Sequence, residues 1–566
     1  MKDRRSTSQV ITGFLPEQTV DLRGSVWKVK GWRAPLRISS IDTELLREEI
    51  LRSASEWIYN GQDQRHFLES LQRGHNVEAY ALEEENGVNI EEFPKQWICR
   101  NCKKFHKEYV SPCSCGAPNS KKQLPFVAYH SCGHLTELKI PTCPMHNCAC
   151  IELPKGASLS QIRFYCSNSS CSWSPRPGLP VQICRCGQPM SHNLHRAAKV
   201  YTSRNVVIVN PPSSDSLKAI KQAGGVARAI TWVLGGMGSR SVLDVGHVPA
   251  LRRSLQEQGL TEEQIDLMLS AIEMSEPQDE KIEIPNSIRS VFEYQSKMLG
   301  IATLLSRFTV QDLIDNAVTT EPYRKRYEDN YQAAISGVGL KSVDLIEKFP
   351  IFSGRYGFTR GSLDPGGSTL NPFPHHDSRQ RRVYPVYGDL AETEALLLHF
   401  DPGKVLDWLH QLGYKSKNEA NGNEHLQILQ ILADAQFGVE ASEHLRTLVH
   451  SFSHRFIRIL AIYAGIDRNA IGEMIFEHAL SIIIYSVPRG DFVLGGMRAV
   501  FERELDTLLQ EVKSAEHRCA LDPGCAKSRA ACMACLHIGE PSCSHFNRQL
   551  SRKALFGTLG YIQNIS

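Results

Sequence analysis

Seventeen cysteines, many of them in pairs one to four residues apart, constrain this 566-residue chain more than any other feature. Their number is odd, and the basic opening MKDRRSTSQV is not followed by the apolar run of a secretory leader. The longest apolar runs, VVIV at 206–209 and SIIIYSV at 481–487, are too short to cross a bilayer. The expected location is therefore the cytoplasm, where disulfide frameworks are rare and paired cysteines act as metal ligands. Zinc takes four thiolate or imidazole ligands tetrahedrally, and each closely spaced pair supplies half of such a cage.

Cys99-x2-Cys102 with Cys113-x-Cys115-Gly116 makes the clearest cage, the glycine suiting the tight turn of a knuckle. Cys166-x4-Cys171 with Cys184-x-Cys186-Gly187 repeats the arrangement after a β-prone IRFY stretch. Between them, YHSCGHLTELKIPTCPMHNCAC offers more donors than one site can take. The expected set is Cys132, His134, Cys143 and Cys148, with His146 and Cys150 as substitutes. Near the C-terminus Cys525, Cys532, Cys535 and Cys543 form a further group, and Cys519 is a possible fifth member. Its loops carry Pro523, Gly524, Gly539 and Pro541 and little apolar content, so they need a staple. A cage of four cysteines keeps no open position for water. The expectation is about four structural zinc ions, three within 96–190 and one within 519–545.

A chain of this length exceeds one hydrophobic core, and an α+β multidomain architecture is expected. Residues 1–95 mix strand-like stretches such as GSVWKVKGW with a helical run, TELLREEILRSASEWI. Residues 96–195 are the zinc-ribbon module, and 196–350 read as mainly helical, including TEEQIDLMLSAIEM behind a Thr261-x-x-Gln264 capping box. In 351–424, RYGFTRGSLDPGGSTLNPFPHHDSRQRRVYPVYGD reads as a long loop, followed by a β-like segment and helix in TEALLLHFDPGKVLDWL. Residues 425–566 form the last domain. Its helix HLRTLVHSFSHRFIRILAIYAG carries an apolar stripe of Leu445, Leu448, Val449, Phe452, Phe456, Ile459, Leu460 and Tyr463, with His450 and His454 expected on the opposite face.

Net charge is only +3, so any nucleic-acid surface must be a local patch. Candidates are Arg379, Arg381 and Arg382, and the lysines Lys103, Lys104, Lys107, Lys121 and Lys122 around the first ribbon. No G-x-x-x-x-G-K-[ST] phosphate loop, G-x-S-x-G elbow or deaminase signature is present, and HSFSH lacks the glutamate of H-E-x-x-H. The expectation is a protein that is not an enzyme. The alternative is a metal-dependent nuclease built around His375, His376 and Asp377 or around His450 and His454.

The succession LVHSFSHRFIRILAIYAG, IGEMIFEHALSIIIYSVPRGDFVLGGM, DPGC, ACMACL, PSC and FNRQLSRKALFG resembles the cysteine-tetrad domain appended to MrfA-type DNA-repair helicases. In that family four cysteines bind structural zinc, which the resemblance places at Cys525, Cys532, Cys535 and Cys543. No helicase core precedes the tetrad here. The opening RRSTSQVITGFLPEQTVDLRGSVWKVKGW, the CGHL of the ribbon region and TEALLLHFDPGKVLDWL are similar to the DrmB family of the bacterial DISARM anti-phage system. That resemblance implies a DNA-binding subunit without ATPase activity, partnering a DrmA-type helicase on invading DNA.

Overall fold

The computed structural model describes residues 2–3, 10, 13–57, 61–74, 77–83, 86–109, 113–118, 120–154, 159–210, 225–237, 283–303, 306–317, 322–362, 365–378, 381–415, 422–487, 495–514, 519–539, 542–543 and 545–564. It mixes strands and helices, as the α+β expectation required. The chain divides into two compact units: residues 1–208 with 352–390, and residues 209–351 with 391–566. This grouping cuts across the expected boundaries, because the 351–424 stretch is shared between units and 1–95 joins the ribbon module.

In the first unit a four-stranded sheet runs in the order Lys2–Asp3, Val88–Glu92, Ser25–Trp32, Thr19–Leu22. Trp27 and Val29 and, past a bulge between Val29 and Gly31, Trp32 set one face inward, where they meet Leu15, Val88 and Phe358. Helix Thr43–Ala54 starts where Asp42 accepts from the Glu44 and Leu45 backbone N–H groups, which satisfies two otherwise orphaned donors. The ribbon region builds three small sheets. One joins Phe105–His106, Trp97–Cys99 and Lys121–Gln123; another joins Leu135–Thr136, Phe126–Tyr129 and Ser191–Leu194; the third pairs Cys150–Glu152 with Arg163–Tyr165. All three share a core of Ile98, Leu124, Ala128, Leu138, Ile151, Ile162 and Phe164.

Much of the stretch expected as a long loop is strand, and so are residues 340–350, which were expected to be helical. Leu340–Thr359 and Arg381–Phe400 are each 20 residues long, with short strands Leu370–Pro372 and His376–Ser378 between them. Gly361, with φ of +103°, and the turn Pro365–Gly367 do bend the chain, but the glycines within the strands make room for neighbours. Gly354 and Gly388 sit where a side chain on either would collide with Phe352, and a Cβ on Gly357 would strike the Asn371 carbonyl.

In the second unit Ser481–Ser486 pairs with both Ile471–Phe476 and residues 395–399. Phe400 leads into helix Pro402–Gln411, capped by Asp401 and opened by a proline, as TEALLLHFDPGKVLDWL suggested. The helix expected from HLRTLVHSFSHRFIRILAIYAG spans Gly438–Ala464 and stops at Gly465, whose φ of +65° gives a left-handed cap. Its stripe is buried except for the half-buried Tyr463, but so are His450 and His454, because the helix is covered on both faces. The capping-box helix expected at 261–274 lies outside the described residues.

His399 and His425 are buried in this unit. His399 meets the Ser481 hydroxyl at 3.0 Å, and His425 Nε2 donates to the His478 carbonyl at 2.7 Å. Burial lowers their pKa values from 6.5 to about 3 and about 4. Below pH 6.5 the unfolded chain therefore binds protons that the folded chain refuses, and stability falls as pH falls through that window. Lowering pH from 7 to 5.5 is expected to cost about 1 kcal/mol for each imidazole. Urea unfolding of His399→Asn, with metal content held constant, should show a shallower loss over this interval than the parent. An equal loss would contradict the assignment.

Candidate metal centres

Three knuckles in the ribbon region share one local design. Cys113-Ser-Cys115-Gly116, His130-Ser-Cys132-Gly133 and Cys184-Arg-Cys186-Gly187 each turn on a glycine with positive φ, at +78°, +88° and +84°. In each, the glycine N–H donates to the carbonyl of the first donor residue. That bond curls the backbone so that both donors face one point. The Cys113 knuckle is completed by the x2 pair Cys99 and Cys102, whereas the His130 and Cys184 knuckles complete each other.

Cys99, Cys102, Cys113 and Cys115 come together as the spacing implied, all donor atoms lying within 4.8 Å of one another. Cys99 and Cys115 sulfurs are 3.7 Å apart, and those of Cys102 and Cys113 are 3.6 Å apart. A disulfide needs about 2 Å, whereas thiolates about 2.3 Å from a common tetrahedral centre lie about 3.8 Å apart. The cage geometry therefore fits a metal ion. Burial resists ionisation of Cys99, but the Ser120 hydroxyl and backbone N–H groups of Cys102 and Asn101 outweigh it and hold the thiol at about 6. Burial, with the neighbouring sulfurs of Cys99, Cys113 and Cys115, pushes Cys102 up to about 12, so a cation bound in the cage would favour its thiolate form.

The remaining ribbon donors pair differently from the expectation. Cys132 joins Cys184 and Cys186, with His130 as the fourth donor. The Cys132 and Cys184 sulfurs are 3.5 Å apart, and His130 Nδ1 is 3.3 Å from the Cys186 sulfur. His134, expected as a ligand, lies outside this set, with Nδ1 3.3 Å from the Cys184 sulfur, where it can donate to a thiolate. Cys166 and Cys171 join Cys143 and His146. Cys148 is a fifth donor there, its sulfur 3.5 Å from that of Cys166 and accepting from the Ser167 hydroxyl. Cys150 is buried apart from these clusters, against the Cys102 carbonyl.

Ladder register explains the correction. Phe126–Tyr129 pairs antiparallel with Ser191–Leu194, which carries residues 130–132 to residues 184–186. Cys150–Glu152 pairs with Arg163–Tyr165 and brings 143–148 to 166–171. One hairpin is nested inside the other, so neighbours in sequence are not partners in space.

At the C-terminus the cage is Cys519, Cys525, Cys532 and Cys535. Sulfur separations are 3.4 Å for Cys519 with Cys532 and 3.7 Å for Cys525 with Cys535. Asp522 shapes the turn, accepting from the Cys519 and Ala526 N–H groups and from Arg552. Arg458 of the long helix donates to the carbonyls of Ala534 and His537, fastening the loop. Cys543, expected here, is instead buried beside His450. The carry-over of the tetrad from the resemblance is thus corrected at one position: Cys519 replaces Cys543.

Of the basic candidates, Arg379 lies outside the described residues, and Arg382 is exposed on the strand Arg381–Phe400. No helix among the described residues is long and apolar enough to cross a membrane. No curated protein matches the chain. Residues 6–208 match a family model described as a domain of unknown function (DUF8724), and the match takes in all three ribbon cages.

Proposed function

We propose that this protein is a zinc-stapled, non-hydrolytic scaffold that binds DNA and partners a DrmA-type helicase in antiviral defence. The observation that carries the DNA reading is the surface of the first ribbon. Arg100, Lys103, Lys107 and Lys122 are exposed around the cage and form no salt bridge with a described residue. Next to them, the Ile151 N–H donates to the Lys103 carbonyl, and Lys104 bridges Cys150, which lies opposite Tyr165 in the adjoining hairpin. Arg163 and Tyr165 are exposed on that hairpin. Unpaired cations beside an exposed aromatic suit a phosphate backbone with a base to stack. The helicase partner rests on the resemblance of the two ends of the chain to DrmB and MrfA-type proteins, and the non-hydrolytic role on the missing phosphate loop.

Zinc is the metal that best fits the four cages, being the ion most often held by three or four thiolates with histidine. The DNA reading is tested by anisotropy of a labelled oligonucleotide across a salt series. Changing Arg100, Lys103, Lys107 and Lys122 together to Gln should weaken binding regardless of sequence and flatten the salt slope by up to about 3 units. Unchanged affinity and slope would remove the ribbon surface from the interface. Failure to co-elute with the helicase, or to alter its unwinding, would remove the partnership. Cleavage of DNA with Mg²⁺ or Mn²⁺ would favour the nuclease alternative.

A further inference from the structure

Within the second unit, four potential ligands converge from three separate elements. His450 and His454 come from adjacent turns of the helix Gly438–Ala464, Glu473 from the strand Ile471–Phe476, and Cys543 from the segment beyond the cysteine tetrad. All four are buried, His454 completely. His450 Nε2 lies 3.3 Å from the Cys543 sulfur and 3.3 Å from Glu473 Oε1, while His454 Nε2 lies 3.1 Å from the same oxygen. Nitrogen, oxygen and sulfur ligands bound tetrahedrally to one zinc ion lie about 3.3–3.5 Å apart, close to these separations.

Hydrogen bonds around the cluster orient its donors inward. His454 Nδ1 is 2.9 Å from the Leu536 carbonyl, which can only accept, so this nitrogen carries the proton. In the neutral ring Nε2 then presents a lone pair to the centre. Ser453 donates its hydroxyl to Glu473 Oε2, leaving Oε1 as the inward oxygen. Metal-binding imidazoles and carboxylates are held in this way by partners on their outer edges. His454 Nε2 and Glu473 Oε1 thus face each other at 3.1 Å as two lone-pair donors, the arrangement a shared cation satisfies.

We propose that His450, His454, Glu473 and Cys543 hold a fifth metal ion, a buried structural zinc that ties the chain beyond the tetrad to the long helix and its neighbouring strand. Two imidazoles, one carboxylate and one thiolate form a borderline donor set suited to zinc. Four buried protein ligands leave no open position, so the ion is structural rather than catalytic. The proposal is independent of DNA binding.

Cadmium-113 NMR of the full-length protein, exchanged with cadmium, gives one resonance per site, moving upfield as the number of sulfur ligands falls. Five resonances are expected, one of them well upfield of the sulfur-rich four. Elemental analysis of Cys543→Ser should show one metal equivalent fewer, with the four sulfur-rich resonances retained. Only four resonances in the parent protein would overturn the proposal, as would an unchanged metal count in a folded variant. Should Cys543→Ser fail to fold, the parent spectrum decides alone.

Discussion

Stripping the metal with a strong chelator at neutral pH is expected to open the ribbon region and the 519–550 segment to proteolysis. The physical reason is that little else holds them. Among the described residues from Cys519 to Leu550, the only helix is the short Gly524–Lys527 and there is no strand. The ribbon sheets are made of strands of two to four residues. Strands and loops this short bury too little apolar surface to offset the entropy of ordering them, whereas a structural zinc contributes about 10 kcal/mol. Burial keeps thiols such as Cys525 protonated, at about 12, once no cation shares the cage. Mass spectrometry of brief protease digests, with and without chelator, should show new cuts confined to these segments. Cys519→Ser should lose one zinc and expose the same C-terminal loop. Identical digests after metal loss confirmed by elemental analysis would mean that the cages do not support the fold.

The knuckles were legible in the sequence because their chemistry is local: the spacing of two donors and a following glycine is set within a single turn. Beyond the first cage, which pair joins which was not, because that depends on strand register between residues far apart in sequence, such as Tyr129 opposite Ser191. His130 was missed although HSCG mirrors CSCG and CRCG, with imidazole in place of the first thiolate. That repeat was the available signal. His450 and His454 show a different limit. Periodicity assigns them to the face away from the apolar stripe, but it cannot tell solvent from a second buried interface, here lined by Glu473 and Cys543. The parts of the two long strands that fall in 355–359 and 381–389 were read as loop because glycine and proline usually punctuate turns, and 340–350 was read as helical. In this sheet Gly354, Gly357 and Gly388 instead make room for neighbouring side chains and backbone.

Arg360→Ala is expected to destabilise the first unit by about 3–5 kcal/mol, although no motif drew attention to this residue. Its side chain is wholly buried. The guanidinium donates to three carbonyls from distant parts of the chain: Gly133 at 3.0 Å, Val200 at 2.5 Å and Glu17 at 3.0 Å. Tyr201 and Phe358 rings flank it, and the Glu17 carboxylate lies 3.7 Å away. Burial lowers its pKa to about 10, against the opposing pull of Glu17, so it is still charged at neutral pH. Removing it strands one buried and two part-buried acceptors and opens a cavity the size of the side chain. Lysine keeps the charge but lacks the planar fork that reaches all three carbonyls, so Arg360→Lys should fall between the two. One of those carbonyls belongs to the knuckle of His130 and Cys132, where a Cβ on Gly133 would come within 2.6 Å of Asn371 Oδ1. The turn thus has no slack. Loss of the guanidinium should therefore also speed metal release from this cage relative to the Cys99 cage. Urea unfolding gives the stability change, and a colorimetric chelator gives the release rates. Parent-like values for both would show that the three carbonyls find other partners and that Arg360 is only filling space.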